Sequence, residues 1–164
     1  MPLILASTLT TLFAASCGRE PLSGPPDLRL AREECAECGM LIMEDRFSAA
    51  ALVEHDGHRS YAFYDDIGCL LDHEHAEGAR VVQRLVHDAP SHRWIDAHTA
   101  AYLAANPEKL PTPMGTGIAA YDDREGAERA KAEHGGQMLD WAGIQAARLE
   151  HRRARGLTVG SPPK

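Results

Sequence analysis

The alternation of apolar and polar positions predicts a structural unit that occurs twice in the chain. The first unit is expected to run through a strand, a tight connector, a second strand, an Asp-capped helix with a Gly stop, and a third strand, at residues 47–53, 55–58, 60–64, 66–78 and 81–82. The connector contains Asp-Gly, which is typical of two-residue hairpin turns. Ile67, Leu70 and Leu71 recur at helical spacing, so they are expected to face a sheet. Asp accepts the free N–H groups at a helix start, and Gly permits a left-handed exit.

The second unit repeats the pattern of the first at an offset of 57 residues. Ala62-Phe63-Tyr64-Asp65-Asp66 returns as Ala119-Ala120-Tyr121-Asp122-Asp123, and Gly78 returns as Gly135. A unit of about 50 residues buries too little surface to be very stable alone, so the units are expected to pack together. We therefore predict an α+β fold of two packed ββαβ repeats behind a flexible N-terminal tether, with a solvated, fraying helix in the C-terminal tail. The predicted first repeat, second repeat and tail are 33–88, 89–140 and 141–164.

The first residues predict export from the cytoplasm. Leu3–Ala15 is an uncharged, mostly apolar run. It is shorter than the roughly 20 residues that span a bilayer, but it has the right length for a signal peptide. Small residues follow up to Cys17, a pattern that resembles a bacterial lipobox. We therefore expect a lipoprotein signal peptide at 1–16, then a lipid-modified Cys17 and a Pro- and Gly-rich tether at 17–32. Such a protein is anchored in the cell envelope and faces the periplasm.

The charge balance and the cysteine count narrow the class of partner. The chain has 17 Lys and Arg against 24 Asp and Glu, which gives a formal net charge of −7. This balance argues against a nucleic-acid-binding surface. Of the four cysteines, Cys17 is assigned to the lipid. The other three cannot pair completely outside the cytoplasm, so at least one thiol is expected to be free or bound to metal.

A concentration of soft donors marks the start of the first repeat. Cys35 and Cys38 form a Cys-x-x-Cys motif, and Met40 and Met43 follow directly. Thiolate and thioether sulfur together favour Cu(I). A Cys-x-x-Cys motif alone also occurs in thiol–disulfide oxidoreductases and in zinc sites. Two alternatives therefore stay open beside a copper site: an oxidoreductase that uses Cys35 and Cys38, and a zinc-stabilised binding module.

Two further candidate sulfur donors lie elsewhere in the chain. Met114 lies in the Pro- and Gly-rich loop 111–117. Methionine usually fills gaps in a core, so Met114 is either a hydrophobic plug or a thioether presented by a rigid loop. We expect this loop to lead into the second repeat as the Cys-Gly-Met segment leads into the first, so that packing brings Cys38 and Met114 together. Cys69 and His73 share a face of the first helix, but a buried small thiol is the commoner role for such a cysteine, and we predict that role for Cys69.

The chain resembles the NosL family over nearly all of its length after the tether. The resemblance lies in the order and spacing of short motifs: Cys38-Gly39-Met40, Tyr61-Ala62-Phe63 with Asp66 and Cys69, Trp94-Ile95-Asp96-Ala97 with Ala100-Ala101-Tyr102, Pro113-Met114-Gly115 with Ala119-Ala120-Tyr121, and His134-Gly135-Gly136. Proteins of that family are periplasm-facing lipoproteins that act as copper chaperones for nitrous oxide reductase, and their fold is a pair of ββαβ units. The resemblance implies that Cys38 and Met114 bind Cu(I).

The predicted metal ligands are therefore Cys38 and Met114, with Met40 and Cys35 as further candidates, and the family pattern leaves the role of Cys35 open. We expect no enzymatic activity. The protein is expected to deliver Cu(I) to apo nitrous oxide reductase and to reach the membrane through its lipid anchor. It is expected to bind no nucleic acid, and a homodimer is a candidate assembly.

Overall fold

The structure, a computed structural model, describes residues 22–73 and 75–156. Its strands are β1 (Ala49–His55), β2 (His58–Tyr64), β3 (Arg80–His87), β4 (Trp94–Asp96), β5 (Ala101–Ala104), β6 (Ile118–Tyr121) and β7 (Gln137–Leu139). Its helices are α1 (Ile67–Asp72), α2 (Arg124–His134) and α3 (Trp141–Ala154). The strands form two antiparallel sheets, one in the order β2-β1-β3-β4 and the other in the order β6-β5-β7.

The two predicted repeats are present, and the α+β fold class is confirmed. The order β1-β2-α1-β3 in the first half returns as β5-β6-α2-β7 in the second, and in both sheets the first strand of the repeat lies in the middle. The short strand β4 lies in the segment predicted as the second repeat, but it pairs with β3, with Ile95 opposite Val86. The second half of the chain thus completes the sheet of the first half.

The hairpins of the two repeats differ at the turn. β1 and β2 are joined by Asp56 and Gly57, both with positive φ (50° and 75°), as the Asp-Gly dipeptide predicted. The corresponding connection between β5 and β6 is the long loop 105–117, which contains Met114. The Met114 loop therefore matches the Asp-Gly turn of the first repeat, and our expectation that it matches the Cys-Gly-Met segment is wrong.

Both predicted Asp caps are observed. Asp66 Oδ1 accepts the backbone N–H of Gly68 (2.7 Å) at the start of α1, and Asp123 Oδ1 accepts that of Gly126 (2.6 Å) at the start of α2. The predicted glycine stop holds for α2, because Gly135 is its C-cap and has a φ of 70°. Local sequence chemistry therefore sets three of these four helix ends.

The fourth end differs, because α1 stops at Asp72 and does not continue to Gly78. Contacts with distant residues redirect the chain at this point. Arg148 of α3 donates two hydrogen bonds to the Asp72 carboxylate (2.9 and 2.7 Å), and the next residue, His73, has an extended backbone and contacts Glu37 (3.1 Å). A forked Arg–carboxylate pair is among the stronger polar contacts, so it holds the last residue of α1 against α3.

The contact between Arg148 and Asp72 also shows that the prediction of a solvated, fraying helix after residue 140 is wrong. α3 packs on the protein through Trp141 and Ile144, which are 8% and 1% exposed. The Trp141 ring also contacts the ring of Tyr102 in β5, with a centroid distance of 6.0 Å. Together with Arg148, these residues make α3 part of the folded domain.

The larger of the two hydrophobic clusters contains residues of both repeats, as expected for units too small to fold alone. Its members from the first half include Ile42, Tyr64, Ile67, Leu70 and Val86, and those from the second half include Tyr102, Ile118, Ala120, Trp141 and Ile144. The sheets also meet through hydrogen bonds at Asp88, whose Oδ1 accepts the N–H of Asp122 (2.9 Å). The two halves therefore form one packed domain.

The described part of the stretch predicted as a tether lies against the larger sheet. Trp94 Nε1 donates to the carbonyl of Pro26 (3.0 Å), and the Tyr61 hydroxyl donates to that of Gly24. Residues 1–21, which include Cys17 and the predicted signal peptide, lie outside the described residues, so the lipid anchor and the domain boundaries stay predictions. In the described ranges, no helix combines the length and the apolar character needed to cross a bilayer.

A buried histidine gives the fold a specific response to acid. His87 is 4% exposed, its Nδ1 lies 2.8 Å from the hydroxyl of Ser48, and its ring stacks on Trp94 with a centroid distance of 3.6 Å. Burial lowers the pKa of His87 from 6.5 to about 4. Between these values the unfolded chain binds a proton that the folded chain does not, so stability falls as the pH drops through this window.

We therefore predict that the parent protein loses about 2 kcal/mol of unfolding free energy through His87 between pH 7 and pH 5. His87→Gln keeps an amide oxygen for the Ser48 hydroxyl but does not titrate. Urea unfolding of parent and variant at both pH values measures the effect, and all other titrating groups are common to the two proteins. Equal pH dependence in parent and variant would show that His87 is not the source.

Candidate metal centre

The two cysteines of the Cys-x-x-Cys motif lie in a small, well-bonded loop. Glu34 and Leu41 form an antiparallel bridge at its base. Inside it, the Cys35 N–H donates to the Met40 carbonyl and the Gly39 N–H donates to the Cys35 carbonyl, both at 2.8 Å. Gly39 has a φ of 74°, a conformation that strongly favours glycine. The Cys-Gly-Met sequence therefore closes the loop that holds the thiols.

This loop is fixed to the end of β2. The Ala36 N–H donates to the Phe63 carbonyl at 2.8 Å. The chain then passes through Asp65 and Asp66 into α1, and Cys69 lies in the first turn of that helix. The hairpin of the first repeat thus returns the chain to the loop, and it places a third cysteine beside the first two.

Cys35, Cys38 and Cys69 form a compact group of thiols. Their Sγ atoms all lie within 4.8 Å of one another, and none of the three is in a disulfide. Three sulfur atoms around one metal, with bonds of roughly 2.3 Å, are about 4 Å apart in a trigonal arrangement. Cys35 and Cys69 are buried and Cys38 is half-buried. A small movement therefore suffices for one ion to contact all three, and only Cys38 reaches toward solvent.

Hydrogen bonds favour a thiolate on Cys35. The Cys69 thiol, followed by the backbone N–H groups of Asp65, Cys38 and Glu37, lowers the pKa of Cys35. The same bond to Cys35, together with burial, raises the pKa of Cys69, and burial raises the pKa of Cys38. These shifts favour Cys35 as the first of the three thiols to lose its proton. A metal ion binds thiolates, so its entry releases the remaining protons.

Cys69 is the site residue that the sequence analysis did not select. It is buried, as predicted, but it also contacts the two cysteines that were selected. One signal was available: the residue at the same place in the second repeat, 57 positions later, is Gly126. A cysteine present in one repeat and replaced by glycine in the other is not needed for the fold of the unit.

Met114, predicted as a ligand, is linked to the thiol group through Asp66. Its backbone N–H donates to Asp66 Oδ2 (3.2 Å), and the Asp66 carbonyl accepts the N–H of Cys69 (2.9 Å). The Met114 side chain is 38% exposed and that of Met40, in the cysteine loop, is 47% exposed. Both methionines thus belong to segments bonded directly to the cysteine-bearing ones, and their role as ligands stays a prediction.

His73 borders the same region. Its Nδ1 lies 3.1 Å from Glu37 Oε2, and its ring contacts those of Tyr64 and His75 at centroid distances of 5.3 and 4.9 Å. Glu37 lies between the two cysteines of the loop. His73 therefore ties the end of α1 to the cysteine loop, at the opposite end of the helix from Asp66.

Comparison with known proteins finds a family model that covers the whole site. The family model NosL matches residues 29–149, which include all the residues of the site. The chain belongs to the NosL family. No curated relative was found by sequence comparison.

A solved structure shares the fold of this NosL-family chain. The crystal structure of the copper chaperone NosL from Shewanella denitrificans superposes with a TM-score of 0.55 and 22% sequence identity, over 75% of this chain and 99% of that chain. That protein is a copper chaperone, and the superposition shows that the two proteins share a fold.

If Cys69 is a ligand in this NosL-family chain, Cys69→Ser should weaken Cu(I) binding by at least about tenfold. Serine keeps the hydrogen-bond donor and nearly the volume, so the loss reports the missing sulfur. Titration against a Cu(I)-specific chelator measures it. Met138→Leu, which removes a sulfur atom that packs against a different hydrophobic cluster from the one that contains Cys35 and Cys69, is the control and should bind as the parent does. Unchanged affinity in Cys69→Ser would mean that Cys69 only packs.

Proposed function

We propose that this protein is a lipid-anchored Cu(I) chaperone that faces the periplasm and delivers copper to apo nitrous oxide reductase during its maturation. The observation that carries the proposal is the group formed by Cys35, Cys38 and Cys69, three thiols within 4.8 Å of one another in a chain of the NosL family. Thiolate sulfur is a soft donor and selects Cu(I) over the hard cations.

The accessibility of the sulfur atoms suits a carrier that must release its metal. Cys35 and Cys69 are buried, Cys38 is half-buried, and the thioethers of Met40 and Met114 are exposed. Cu(I) accepts two or three ligands in varied geometry. A donor from the client can therefore join copper on the Cys38 side before a chaperone ligand leaves. Copper passes through a shared intermediate and keeps its oxidation state, so transfer needs no electron donor.

The client and the location come from the sequence and the family resemblance. The lipobox-like segment that ends at Cys17 supports an anchor in the envelope, and the net charge of −7 supports a protein client over nucleic acid. The carbonyls of Leu22, Gly24 and Pro26 accept hydrogen bonds from side chains of the larger sheet, so the folded domain holds the chain a few residues after Cys17. A homodimer is a candidate assembly.

The geometry disfavours the oxidoreductase alternative. A thiol–disulfide oxidoreductase needs an accessible low-pKa thiolate, usually at a helix N-terminus. Here the thiolate is favoured on Cys35, which is 2% exposed and lies in a loop outside any helix, while burial raises the pKa of the more accessible Cys38. The zinc alternative is not excluded by the geometry, because three thiols also suit Zn²⁺. Competition between the two metals for the protein decides between a copper site and a zinc site.

Purified reduced protein should therefore bind one Cu(I) per chain and retain it against an excess of Zn(II), because the donor set is soft. Titration with a Cu(I) chelator, with and without zinc, measures the preference. Tighter binding of zinc would remove the basis for the chaperone proposal.

In a second step, Cu(I)-loaded protein should transfer copper to apo nitrous oxide reductase faster than a chelator that buffers Cu(I) at the same free concentration. Equal rates would mean that no directed transfer takes place.

A separate prediction concerns Met114. Met114→Leu conserves volume and apolarity, so unfolding of the apo protein should change by less than roughly 1.5 kcal/mol. The substitution removes the thioether, so Cu(I) affinity should fall on the order of tenfold, and X-ray absorption should count one sulfur fewer around copper. Met43→Leu is the matched control. Met43 lies just beyond the cysteine loop and is 66% exposed, and it is not among the predicted ligands. If Met114→Leu matches this control in affinity and sulfur count, Met114 is only a hydrophobic side chain of its loop.

A further inference from the structure

Asp66 has more hydrogen bonds than a helix cap requires. Its side chain is fully buried. Oδ1 accepts the N–H of Gly68 (2.7 Å) and the hydroxyl of Thr116, while Oδ2 accepts the hydroxyl of Thr112 (2.6 Å) and the N–H of Met114 (3.2 Å). Only the bond to Gly68 caps α1. The other three attach the β5–β6 loop of the second repeat to the cysteine-bearing helix of the first.

The loop is compact around the same point. The Thr112 hydroxyl accepts the N–H groups of Thr116 (3.0 Å) and Gly117 (3.2 Å) while it donates to Asp66. A Cβ placed on Gly68 would overlap the side chain of Thr116, so the loop lies directly on the first turn of α1. The position of Met114 relative to the helix therefore depends on this single contact region.

The internal repeat provides a reference for Asp66. Asp123 occupies the same place in the second repeat, 57 residues later, and caps α2 through the N–H of Gly126 (2.6 Å). Its side chain is exposed. Capping therefore does not require burial. Burying a carboxylate is costly unless its oxygens are fully hydrogen-bonded, so the burial of Asp66 indicates a function in addition to the cap.

We infer that Asp66 is a positioning residue that holds the Met114 thioether at the thiol group. It bonds both segments at once: its carbonyl accepts the N–H of Cys69 (2.9 Å), and its carboxylate accepts that of Met114. A rigid connection of this kind keeps a ligand from a distant part of the chain at a fixed place, which strengthens binding without adding a contact to the metal. The inference rests on the proposed role of Met114 as a Cu(I) ligand.

Asp66→Asn tests the inference because it replaces one carboxylate oxygen with an amide NH₂. The amide oxygen can replace Oδ1 and keep the bonds to Gly68 and Thr116, since Asn is as good a helix cap as Asp. The amide NH₂ then replaces Oδ2 and, being a donor, can accept neither the N–H of Met114 nor the hydroxyl hydrogen of Thr112. The variant thus releases the Met114 side of the loop and retains the cap. Asp123→Asn makes the same chemical change at a cap that touches no copper ligand.

Asp66→Asn should lower Cu(I) affinity by the same factor as Met114→Leu, and X-ray absorption should show one sulfur fewer around copper. In the double variant Asp66→Asn, Met114→Leu, affinity should fall no further than in either single variant, because both changes remove the same ligand. Asp123→Asn should keep the affinity and sulfur count of the parent. All measurements use the full chain, with circular dichroism of the apo protein as the check on folding.

The outcomes separate this inference from the proposed function. If Asp66→Asn keeps the affinity and sulfur count of the parent, or if its effect adds to that of Met114→Leu, the positioning role is overturned while copper binding stands. If the parent binds no Cu(I), or Met114→Leu has no effect, the proposed role of Met114 fails first. Should Asp66→Asn not fold, Thr116→Val, which removes one loop bond and keeps Asp66, is compared in its place and is expected to lower affinity and sulfur count in the same direction.

Discussion

The buried carboxylate of Asp66 is the contact on which the arrangement of the site depends. It begins α1, the helix that carries Cys69, and it also accepts three hydrogen bonds from the loop that carries Met114. A charge in the interior is stable only when its oxygens are fully bonded. The loop and the helix are therefore bound to one another by the same requirement, and neither can move away without leaving an acceptor unsatisfied.

The site is built asymmetrically from two similar units. The first repeat has a two-residue hairpin turn and a cysteine in its helix, while the second has the long loop 105–117 and Gly126 at the place of Cys69. The first unit thus supplies the three thiols, and the second supplies a loop that lies on the first turn of α1. In the proposed copper site, the Met114 side is formed by a loop rather than by the shared core, so it can open without disturbing that core.

The opposite end of α1 is held as firmly as its start. Asp72 receives two hydrogen bonds from Arg148 of α3, and His73 contacts Glu37 of the cysteine loop. The six-residue helix is therefore fixed at both ends by side chains from other parts of the chain. A helix this short has little stability of its own, so the position of Cys69 is set by these contacts. Such fixation keeps the three sulfur atoms close before any metal arrives.

The sequence by itself determined the features that depend on neighbouring residues. Strand alternation, the Asp-Gly turn and the Asp caps were predicted correctly because each is a local interaction between residues a few positions apart. The repeat at a spacing of 57 residues predicted two ββαβ units, and the donor types in the Cys-Gly-Met segment predicted a soft-metal site. The odd number of thiols also indicated that at least one of them is unpaired.

Only the tertiary structure decided the features that depend on distant residues. The meeting of Cys69 with Cys35 and Cys38, the end of α1 at Asp72 and the packing of α3 all arise from contacts across many tens of residues. Sequence periodicity carries no information about which loop lies on which helix, because that choice follows from shape and hydrogen-bond satisfaction in the assembled core. For the same reason, the sequence could single out Met114 as a candidate ligand, but the attachment of its loop to Asp66 could not be predicted.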